Sequence, residues 1–371
     1  MLVGVPKEIK SHEYRVGLTP AAVREYVAGG HQVVVESGAG AGINAADDVY
    51  RKAGASISES PEEIYQRAEM IVKVKEPQRK EWPLLHDGQI LFTYLHLAPD
   101  LEQTQGLLQS GCTAVAYETV TDEKGGLPLL APMSEVAGRL SIEAAGAALR
   151  RTVGGRGVLL GGVPGVEPAK ILVIGGGVVG THAARMAVGL AANVTILDRS
   201  LPRLRELDQL FEGRARTRFS TLEALDEEIS HADVVIGAVL VPGSSAPKLV
   251  SREMLKLMKP GSVIVDVAID QGGCFETSHP TTHENPTYEV DGIIHYCVAN
   301  MPGAVPVTSS HALNNATLPY GLTLAANGLE ALRTNPNLRS GLNVHRGHVT
   351  YKAVAESLDL PFQPVERALP A

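Results

Sequence analysis

The chain has 371 residues, of which 33 are basic and 41 are acidic, and its formal net charge is −8. This negative balance disfavours nucleic acid or an anionic membrane as a partner. The length exceeds that of one ordinary core and predicts two domains. A hydrophobic content of 44% and a charged content of 20% are typical of a globular protein rather than a disordered one.

Three features predict a cytoplasmic protein. The three cysteines, Cys112, Cys274 and Cys297, form no C-x-x-C pair, which favours a reducing compartment and no disulfide framework. The amino terminus shows no basic segment followed by an apolar one, so we expect no signal peptide. No apolar stretch reaches the ~20 residues that span a bilayer.

Short β-branched runs alternate with helical patterns from the amino terminus onward, which predicts an α/β protein whose doubly wound, mostly parallel sheet is covered on both faces. Thr19 and Ser60 stand where helix caps are expected. The predicted strands of the first part are 2–5, 32–35, 70–74, 90–94 and 113–117, and the predicted helices are 20–28, 46–53, 61–69 and 100–109.

A long Ala-rich helix is predicted over 134–151, with Ser134 as its cap, and it crosses between domains. A glycine-rich loop over 154–168 follows, and then strands at 171–174, 193–197, 218–219, 232–239, 262–269 and 292–297. A second long helix over 310–333, interrupted by Pro319 and Gly321, would return the chain to the first domain. The domains are therefore predicted as 1–130 with 306–371, which is discontinuous, and 131–305.

Residues 170–180 read K-I-L-V-I-G-G-G-V-V-G, a short strand followed by a G-x-G-x-x-G turn. In this motif Gly175 permits the tight turn, Gly177 lets the backbone approach a pyrophosphate, and Gly180 lets the helix pack on the strand. The helix then directs its free N–H groups at the phosphates. Asp198 ends the next strand, where a carboxylate accepts hydrogen bonds from ribose hydroxyls. This pattern predicts a dinucleotide site.

The same region bears on the choice between NAD and NADP. The Asp198 carboxylate would repel a 2′-phosphate and favours NAD. Arg199 and Arg203 would neutralise such a phosphate, although solvated charges at a helix start are an equally good interpretation.

Charged and polar residues follow several predicted strands, at the edge where parallel sheets bind ligands. An arginine there clasps a carboxylate, a lysine polarises a carbonyl, and a histidine exchanges protons near neutral pH. Taken singly, each residue has the ordinary interpretation of a surface charge or a turn residue. The residues are Arg15, Lys75, His96, Asp270 and Asn300, and we expect them to line a cleft between the two domains.

Two other patterns are predicted to have no catalytic or metal-binding role. Cys274, Glu276, His279 and His283 have a spacing that resembles metal ligands, but the segment is rich in Pro, Thr and Gly and is predicted as a structured loop without a metal. The Ser244–Ser245 pair lacks the surroundings of a nucleophilic serine and is predicted to lie on a loop over the cofactor.

Six segments together resemble the alanine dehydrogenase family over nearly the whole chain. They are V-P-K-E-I-K-S-H-E-Y-R-V-G-L-T-P at the amino terminus, V-K-V-K-E-P around Lys75, L-H-L-A around His96, M-S-E-V-A-G-R-L-S, D-V-A-I-D-Q-G-G around Asp270 and V-A-N-M-P-G-A-V-P around Asn300. The glycine turn I-L-V-I-G-G-G-V-V-G agrees with the same family. The resemblance implies two Rossmann-like domains joined by long helices and a homohexamer.

The resemblance further implies reversible oxidative deamination of L-alanine to pyruvate and ammonium with NAD. It implies that Arg15 and Lys75 bind the substrate and that His96 and Asp270 are catalytic. It makes 1–130 with 306–371 the substrate domain and 131–305 the NAD-binding domain. Arg203 stands where relatives often have lysine. The residues expected to contact the cofactor are Ser134, Gly175, Gly177, Val178, Val179, Gly180, Asp198, Arg203, Ser220, Val239, Leu240, Ile269, Asp270, Asn300 and Met301.

Three alternatives remain open at this point. The first is the NAD(H)-binding component of a proton-translocating transhydrogenase, which would bind the cofactor without reducing a carbonyl. The second is a non-catalytic NAD-dependent regulator, in which Lys75 and His96 would be dispensable. The third is a dehydrogenase of the saccharopine-forming type for a larger amino acid.

Overall fold

The computed structural model describes residues 1–239 and 246–369 of the chain. The chain folds into two compact units. Unit 1 consists of Met1–Met133 together with Gly303–Ala371, and unit 2 consists of Ser134–Pro302.

Unit 1 is built on an eight-stranded sheet with the order β15-β14-β6-β5-β4-β1-β2-β3. Strands β1 to β6 run parallel, whereas β14 pairs antiparallel with β6 and β15 antiparallel with β14. The strands are β1 (Leu2–Val5), β2 (Gln32–Glu36), β3 (Ser56–Ser58), β4 (Met70–Val72), β5 (Ile90–Thr93), β6 (Thr113–Ala116), β14 (Leu342–His345) and β15 (His348–Val349).

The helices of unit 1 begin where capping residues occur in the sequence. The side chains of Thr19, Ser60 and Asp100 each accept a backbone N–H in the first turn of a helix. The helices are α1 (Pro20–Ala28), α2 (Asp47–Lys52), α3 (Pro61–Arg67), α4 (Leu101–Ser110), α10 (Pro306–Asn327), α11 (Glu330–Thr334), α12 (Pro336–Arg339), α13 (Lys352–Leu358) and α14 (Val365–Ala368).

Unit 2 is built on a seven-stranded sheet with the order β12-β13-β11-β10-β7-β8-β9, in which β12 alone pairs antiparallel among the described strands. The strands are β7 (Lys170–Ile174), β8 (Asn193–Asp198), β9 (Arg216–Phe219), β10 (Val234–Gly237), β11 (Val263–Asp266), β12 (Thr287–Val290) and β13 (Ile293–Tyr296). The helices are α5 (Ala131–Ala148), whose first three residues belong to unit 1, α6 (Val178–Gly189), α7 (Leu201–Phe211), α8 (Leu222–His231) and α9 (Arg252–Leu255).

The parallel strands of both units follow the doubly wound order of a dinucleotide-binding fold. In unit 1 this order is β3-β2-β1-β4-β5-β6, and in unit 2 it is β9-β8-β7-β10-β11-β13. Buried apolar clusters cover both faces of the unit 2 sheet, one beneath α5 and α6 and the other beneath α8 and α9. Coverage of both faces explains why the strands read as nearly continuous Val, Ile and Leu. The α/β fold class predicted from the alternation is confirmed.

Several element boundaries differ from the sequence predictions. Helix α5 begins at Ala131, so Ser134 lies inside the helix and is not its cap. Strands β4 and β11 end at Val72 and Asp266, short of the predicted 74 and 269. Helix α10 starts earlier than predicted and passes Pro319 without interruption. Strands β3, β12, β14 and β15 were not predicted.

No helix in the described part of the chain is both long and apolar enough to cross a membrane.

Candidate functional site

The glycine turn of unit 2 joins β7 to α6. Gly175 follows β7 with φ of 101°, a conformation that favours glycine. A Cβ atom at Gly180 would lie 1.8 Å from the carbonyl oxygen of Gly175, so only glycine allows α6 to pack this closely on the turn. The third glycine of the motif is therefore required by packing.

Helix α6 presents an uncapped amino terminus after this turn. Its N-cap is Gly177, which has no side chain to bond the first N–H groups of the helix. These donors and the helix dipole form a site for an anionic group such as a pyrophosphate. Val178 is 41% exposed and Val179 is 9% exposed in this first turn.

Asp198 ends β8, next to β7 in the sheet, and holds the glycine turn. Its Oδ2 accepts the N–H of Gly176 at 2.7 Å and its Oδ1 accepts the N–H of Ser200 at 2.8 Å. The carboxylate thus lies beside the glycine turn at the carboxyl edge of the sheet, where dinucleotide-binding folds place the ribose-binding acid.

Arg203 is bonded to the same turn. Its Nε donates to the carbonyl of Gly176 at 2.7 Å, one terminal nitrogen donates to Thr181 Oγ1 at 2.8 Å, and the other pairs with Glu206. A side chain held in this way braces the glycine turn. This geometry does not match the interpretation of Arg203 as a solvated helix-start charge.

The other residues predicted to contact a cofactor have different positions. Ser220 follows β9, and its N–H donates to the carbonyl of Asp198 at 2.9 Å. Val239 lies beside Gly175, within 2.8 Å of where a Cβ at that glycine would stand. Ser134 lies in the first half of α5. Leu240 and the Ser244–Ser245 pair lie outside the described residues.

Asp270 is the exposed residue of a 3-10 turn, Ile269–Gln271, beyond the end of β11. The buried Asp266 organises this segment, since its carboxylate accepts the N–H groups of Ala268 at 3.2 Å and Cys274 at 2.8 Å. Asp266 also accepts the hydroxyl of Ser278 at 2.6 Å. Sequence reasoning missed Asp266, because it lies inside the predicted strand 262–269 and the sequence does not show which N–H groups its carboxylate accepts.

Asn300 and Met301 lie after β13. Asn300 has φ of 61°, a left-handed conformation that Asn adopts more readily than most residues. Met301 begins a 3-10 helix and is 3% exposed.

In unit 1 the candidate residues follow three neighbouring strands. Arg15 lies in the loop after β1, Lys75 follows β4 and His96 follows β5. These strands are adjacent in the order β1-β4-β5 and run parallel, so their carboxyl ends share one edge of the sheet. The topology therefore brings the three residues to the same edge.

Arg15 is buried, with 2% of its surface exposed. Glu13 holds its guanidinium in a two-pronged contact, with Nε–Oε1 at 2.7 Å and a terminal nitrogen to Oε2 at 2.6 Å. Burial acts to lower the pKa of Arg15, but the hydrogen bond and charge of Glu13 outweigh it and the pKa is raised. The remaining nitrogen faces Met133 Sδ at 3.0 Å. The result is a fixed, permanently charged group.

Lys75 lies beside a second carboxylate. Its ammonium is 3.6 Å from Glu76 Oε2, and the other oxygen of Glu76 pairs with Lys10. Glu76 Oε2 is buried and forms no hydrogen bond within the described residues. Burial acts to raise the pKa of Glu76, but the charges of Lys75, Lys10 and His96 lower it to about 2. These effects indicate that the four groups share one electrostatic environment.

His96 has an unusual backbone, with φ of 50°. The carboxylate of Glu118 accepts the N–H of His96 at 2.6 Å and that of Leu95 at 3.1 Å, which holds this strained turn in place. The imidazole stacks on the ring of Tyr94, with centroids 5.7 Å apart and planes 7° apart. Its position is therefore defined by the backbone and by the ring face, and an imidazole so held is suited to proton exchange.

A buried network lies next to Lys75 and was not predicted. Lys73 is fully buried and pairs with Glu8 at 3.1 Å and Glu81 at 2.8 Å. Burial acts to lower the pKa of Lys73, but the two carboxylates raise it. Burial raises the pKa of Glu8, opposed by the Lys73 ammonium and by the N–H of Val74. Lys73 alternates with apolar residues and reads as an ordinary strand residue in the sequence.

No group of three or more His, Cys, Asp or Glu side chains is arranged to hold a metal ion in the part of the chain that the structure covers. In the same region, the rings of His279 and His295 each stack on the ring of Tyr288, with centroids 3.6 and 5.0 Å from it.

Two family models match the chain: "Alanine dehydrogenase/PNT, N-terminal domain" over residues 4–137 and "Alanine dehydrogenase/PNT, C-terminal domain" over residues 141–352. The alanine dehydrogenase of Halomonas elongata is 58% identical over 363 residues, covering 98% of each chain. That of Bacillus subtilis is 53% identical over 371 residues, covering 100% of this chain and 98% of its own.

Solved structures give the same result. A structure titled L-alanine dehydrogenase superposes with a TM-score of 0.93 at 53% identity and covers 97% of this chain and 99% of its own. The transhydrogenase from Sinorhizobium meliloti superposes with a TM-score of 0.80 at 27% identity and covers 95% of this chain and 100% of its own. With both family models matched in order and full-length relatives above half identity, the chain belongs to the alanine dehydrogenase/PNT family.

Proposed function

We propose that the protein is an NAD-dependent L-alanine dehydrogenase, which catalyses the reversible oxidative deamination of L-alanine to pyruvate and ammonium. The full-length identity of 53% to 58% with proteins of that name supports the assignment. The observation that carries it is the meeting of Arg15, Lys75 and His96 at one sheet edge of unit 1. A protein that only bound a nucleotide would not need this set of side chains.

The residues of unit 2 fit a dinucleotide. The uncapped N–H groups of α6 would bind the pyrophosphate, and Asp198 would accept hydrogen bonds from the adenosine ribose. Asp198 also favours NAD over NADP, because its charge repels a 2′-phosphate. Bound NAD supplies the hydride acceptor for the alanine Cα–H bond. This makes unit 2 the cofactor domain and unit 1 the substrate domain.

The residues of unit 1 bind and orient the substrate. The Arg15 guanidinium would clasp the carboxylate of alanine or pyruvate, and the Lys75 ammonium would contact the carbonyl oxygen of pyruvate. Both side chains are largely buried, which strengthens such contacts and fixes the substrate face presented for hydride transfer. Orientation of this kind supplies a large part of the catalysis.

Two groups are suited to the proton transfers. In the deamination direction, water adds to the oxidised Cα–N bond, and loss of ammonium requires a base and then an acid. His96, held by Glu118 and Tyr94, would exchange these protons. Asp270, exposed on its turn, would orient the water and stabilise the positively charged nitrogen.

The proposal includes a homo-oligomer, a hexamer by family resemblance, in the cytoplasm. Apolar side chains on the loop after α5 support an assembly, because Leu159, Val163 and Val166 are 64%, 53% and 63% exposed. Light scattering of the purified protein measures the subunit number.

The direct test mixes the protein with NADH, pyruvate and ammonium at alkaline pH and follows the loss of NADH absorbance. We expect rapid oxidation that requires all three compounds, and the reverse reaction with L-alanine and NAD. A panel of larger 2-oxo acids tests the size of the pocket, since one methylene changes binding by ~1–3 kcal/mol. NADH binding without turnover would instead favour a transhydrogenase component or a regulator, and preference for a larger oxo acid would favour a saccharopine-type enzyme.

A further inference from the structure

Lys73 and Lys75 lie two residues apart and have different surroundings. Lys73 has no exposed surface, and the side chains of Glu8 and Glu81 that pair with it are 2% and 6% exposed. Burying an ammonium and two carboxylates stabilises a fold weakly, because desolvation offsets the attraction. The network therefore calls for an explanation other than stability.

The path of the chain after β4 provides one. Strand β4 lies between β1 and β5, and its pairing with β5 continues beyond Val72. There the N–H of Lys73 donates to Phe92 at 3.2 Å and the N–H of Tyr94 donates to Val74 at 3.3 Å. On the other side, β1 ends at Val5, and Pro6 follows it.

On the β1 side, where no strand backbone continues past Val5, the Glu8 side chain accepts the hydrogen bonds instead. Its Oε1 accepts the N–H of Val74 at 2.6 Å and lies 3.4 Å from the N–H of Lys75, while its Oε2 faces the Lys73 ammonium. Thr93 fixes the next peptide group, since its hydroxyl donates to the carbonyl of Lys75 at 3.0 Å. Lys75 is thus held at both of its peptide groups by side chains.

We propose that Glu8 is a positioning residue for Lys75: its carboxylate extends the sheet pairing by two residues, and Lys73 supplies the charge that this buried carboxylate needs. The inference rests on the proposed function, in which Lys75 contacts the substrate. In the segment V-K-V-K-E-P, Lys73 would then balance charge inside the fold, and Lys75 would face the substrate.

Glu8→Gln tests the role, because an amide offers one acceptor oxygen and one donor nitrogen. The amide of this variant cannot accept the backbone N–H groups with one end and meet the Lys73 ammonium with the other. Thr93→Val is the second test, since it removes the hydroxyl that holds the Lys75 carbonyl and keeps the side-chain shape. We expect KM for L-alanine to rise about tenfold in Glu8→Gln and several-fold in Thr93→Val, with KM for NAD within about twofold of wild type.

Asp233→Asn is the matched control in unit 2. Asp233 is also a buried carboxylate at a strand end, where it accepts the N–H of Lys170 at 2.8 Å and lies 3.3 Å from Arg156. It precedes β10 at the amino edge of the sheet, away from the candidate site. We expect this variant to lower the melting temperature and to leave both KM values unchanged.

The outcomes separate the two proposals. An active wild type whose KM for L-alanine is unchanged in both unit 1 variants overturns the positioning role alone, as does an equal rise in KM for NAD. A wild type without alanine-dependent turnover overturns the proposed function and this inference with it. If Glu8→Gln does not fold, the Thr93→Val result decides.

Discussion

The two units have the same order of parallel strands but build their candidate sites differently. In unit 2, β7 is followed by the glycine turn. The groups available to a ligand there are backbone N–H groups and the amino terminus of α6. In unit 1 the corresponding strands are followed by charged side chains, each held by a carboxylate partner. In the proposed function, the same topology would bind a long phosphate-bearing cofactor through backbone groups and a small charged substrate through side chains.

This contrast determines which substitutions are harmful in each unit. In unit 2 an added side-chain atom is harmful at Gly175 and Gly180, where a Cβ would lie within 3 Å of the backbone of the protein. In unit 1 the loss of a charge or of its partner is harmful, because each cation is paired with a carboxylate.

The largest expected effect is that of Gly180→Ala. The added Cβ would lie 1.8 Å from the Gly175 carbonyl oxygen, so the turn and α6 must separate. We expect NAD affinity to fall about 10²-fold, which corresponds to the upper part of the ~1–3 kcal/mol that overpacking costs. Gly189→Ala on the same helix is the control, since its Cβ would meet no atom within 4 Å. Calorimetric titration with NAD compares them, and equal affinity in both variants would contradict the account.

His96→Ala is the corresponding test in unit 1. We expect kcat to fall by ~10² or more, with NADH affinity unchanged, because in the proposed mechanism the imidazole exchanges protons and does not bind the cofactor. His96→Asn accompanies it, since Asn tolerates the left-handed backbone at this position and separates loss of the imidazole from strain. A kcat close to wild type in either variant would remove the assigned role.

The acid sensitivity of unit 1 depends in part on Glu76. Its pKa is lowered to about 2 from an ordinary value of 4.5, with burial opposing the cations that lower it. A lowered pKa stabilises the fold above pH 4.5, and this contribution disappears as the pH falls towards 2. It amounts to no more than about 3 kcal/mol. We expect Glu76→Gln to flatten the dependence of unfolding free energy on pH between about 2 and 5 in urea titrations, and an unaltered slope would refute this origin.

The smallest expected effect is that of Arg203→Met in unit 2. The variant loses the bonds to Gly176 and Thr181 that brace the glycine turn. We expect KM for NAD to rise only a few-fold, because the two lost bonds hold the turn and not the cofactor, and the turn keeps its Asp198 contact. KM for NADP should not fall. If NADP binding weakened while NAD binding did not, Arg203 would be a phosphate ligand instead.

The features that the sequence predicts well are local ones. The glycine turn and the helix caps at Thr19 and Ser60 depend on spacing within a few residues. The positions of Arg15, Lys75 and His96 at one sheet edge also follow, because parallel strands share their carboxyl ends. Their catalytic and binding roles remain predictions.

The features that were missed depend on distant partners. Strand β14 pairs with β6, which lies far away in the sequence, and nothing in its own four residues marks that partner. The pairing of Lys73 with Glu8 could not be predicted from the sequence for the same reason. Ser134 was misassigned as a cap because Pro132, two positions earlier, is tolerated in the first turn of α5. The predicted strand 262–269 is longer than the observed β11 because Val267 and Ala268 continue the apolar run beyond Asp266.

The division of labour between the two units is tested most directly by the steady-state kinetics of Arg15→Lys, with pyruvate and NADH varied in turn. Lysine keeps the charge beside Glu13 and loses the planar fork that clasps a carboxylate. The account predicts that KM for pyruvate rises about tenfold or more while KM for NADH stays within about twofold of wild type. A KM for pyruvate equal to that of wild type, or a parallel rise in KM for NADH, would contradict it.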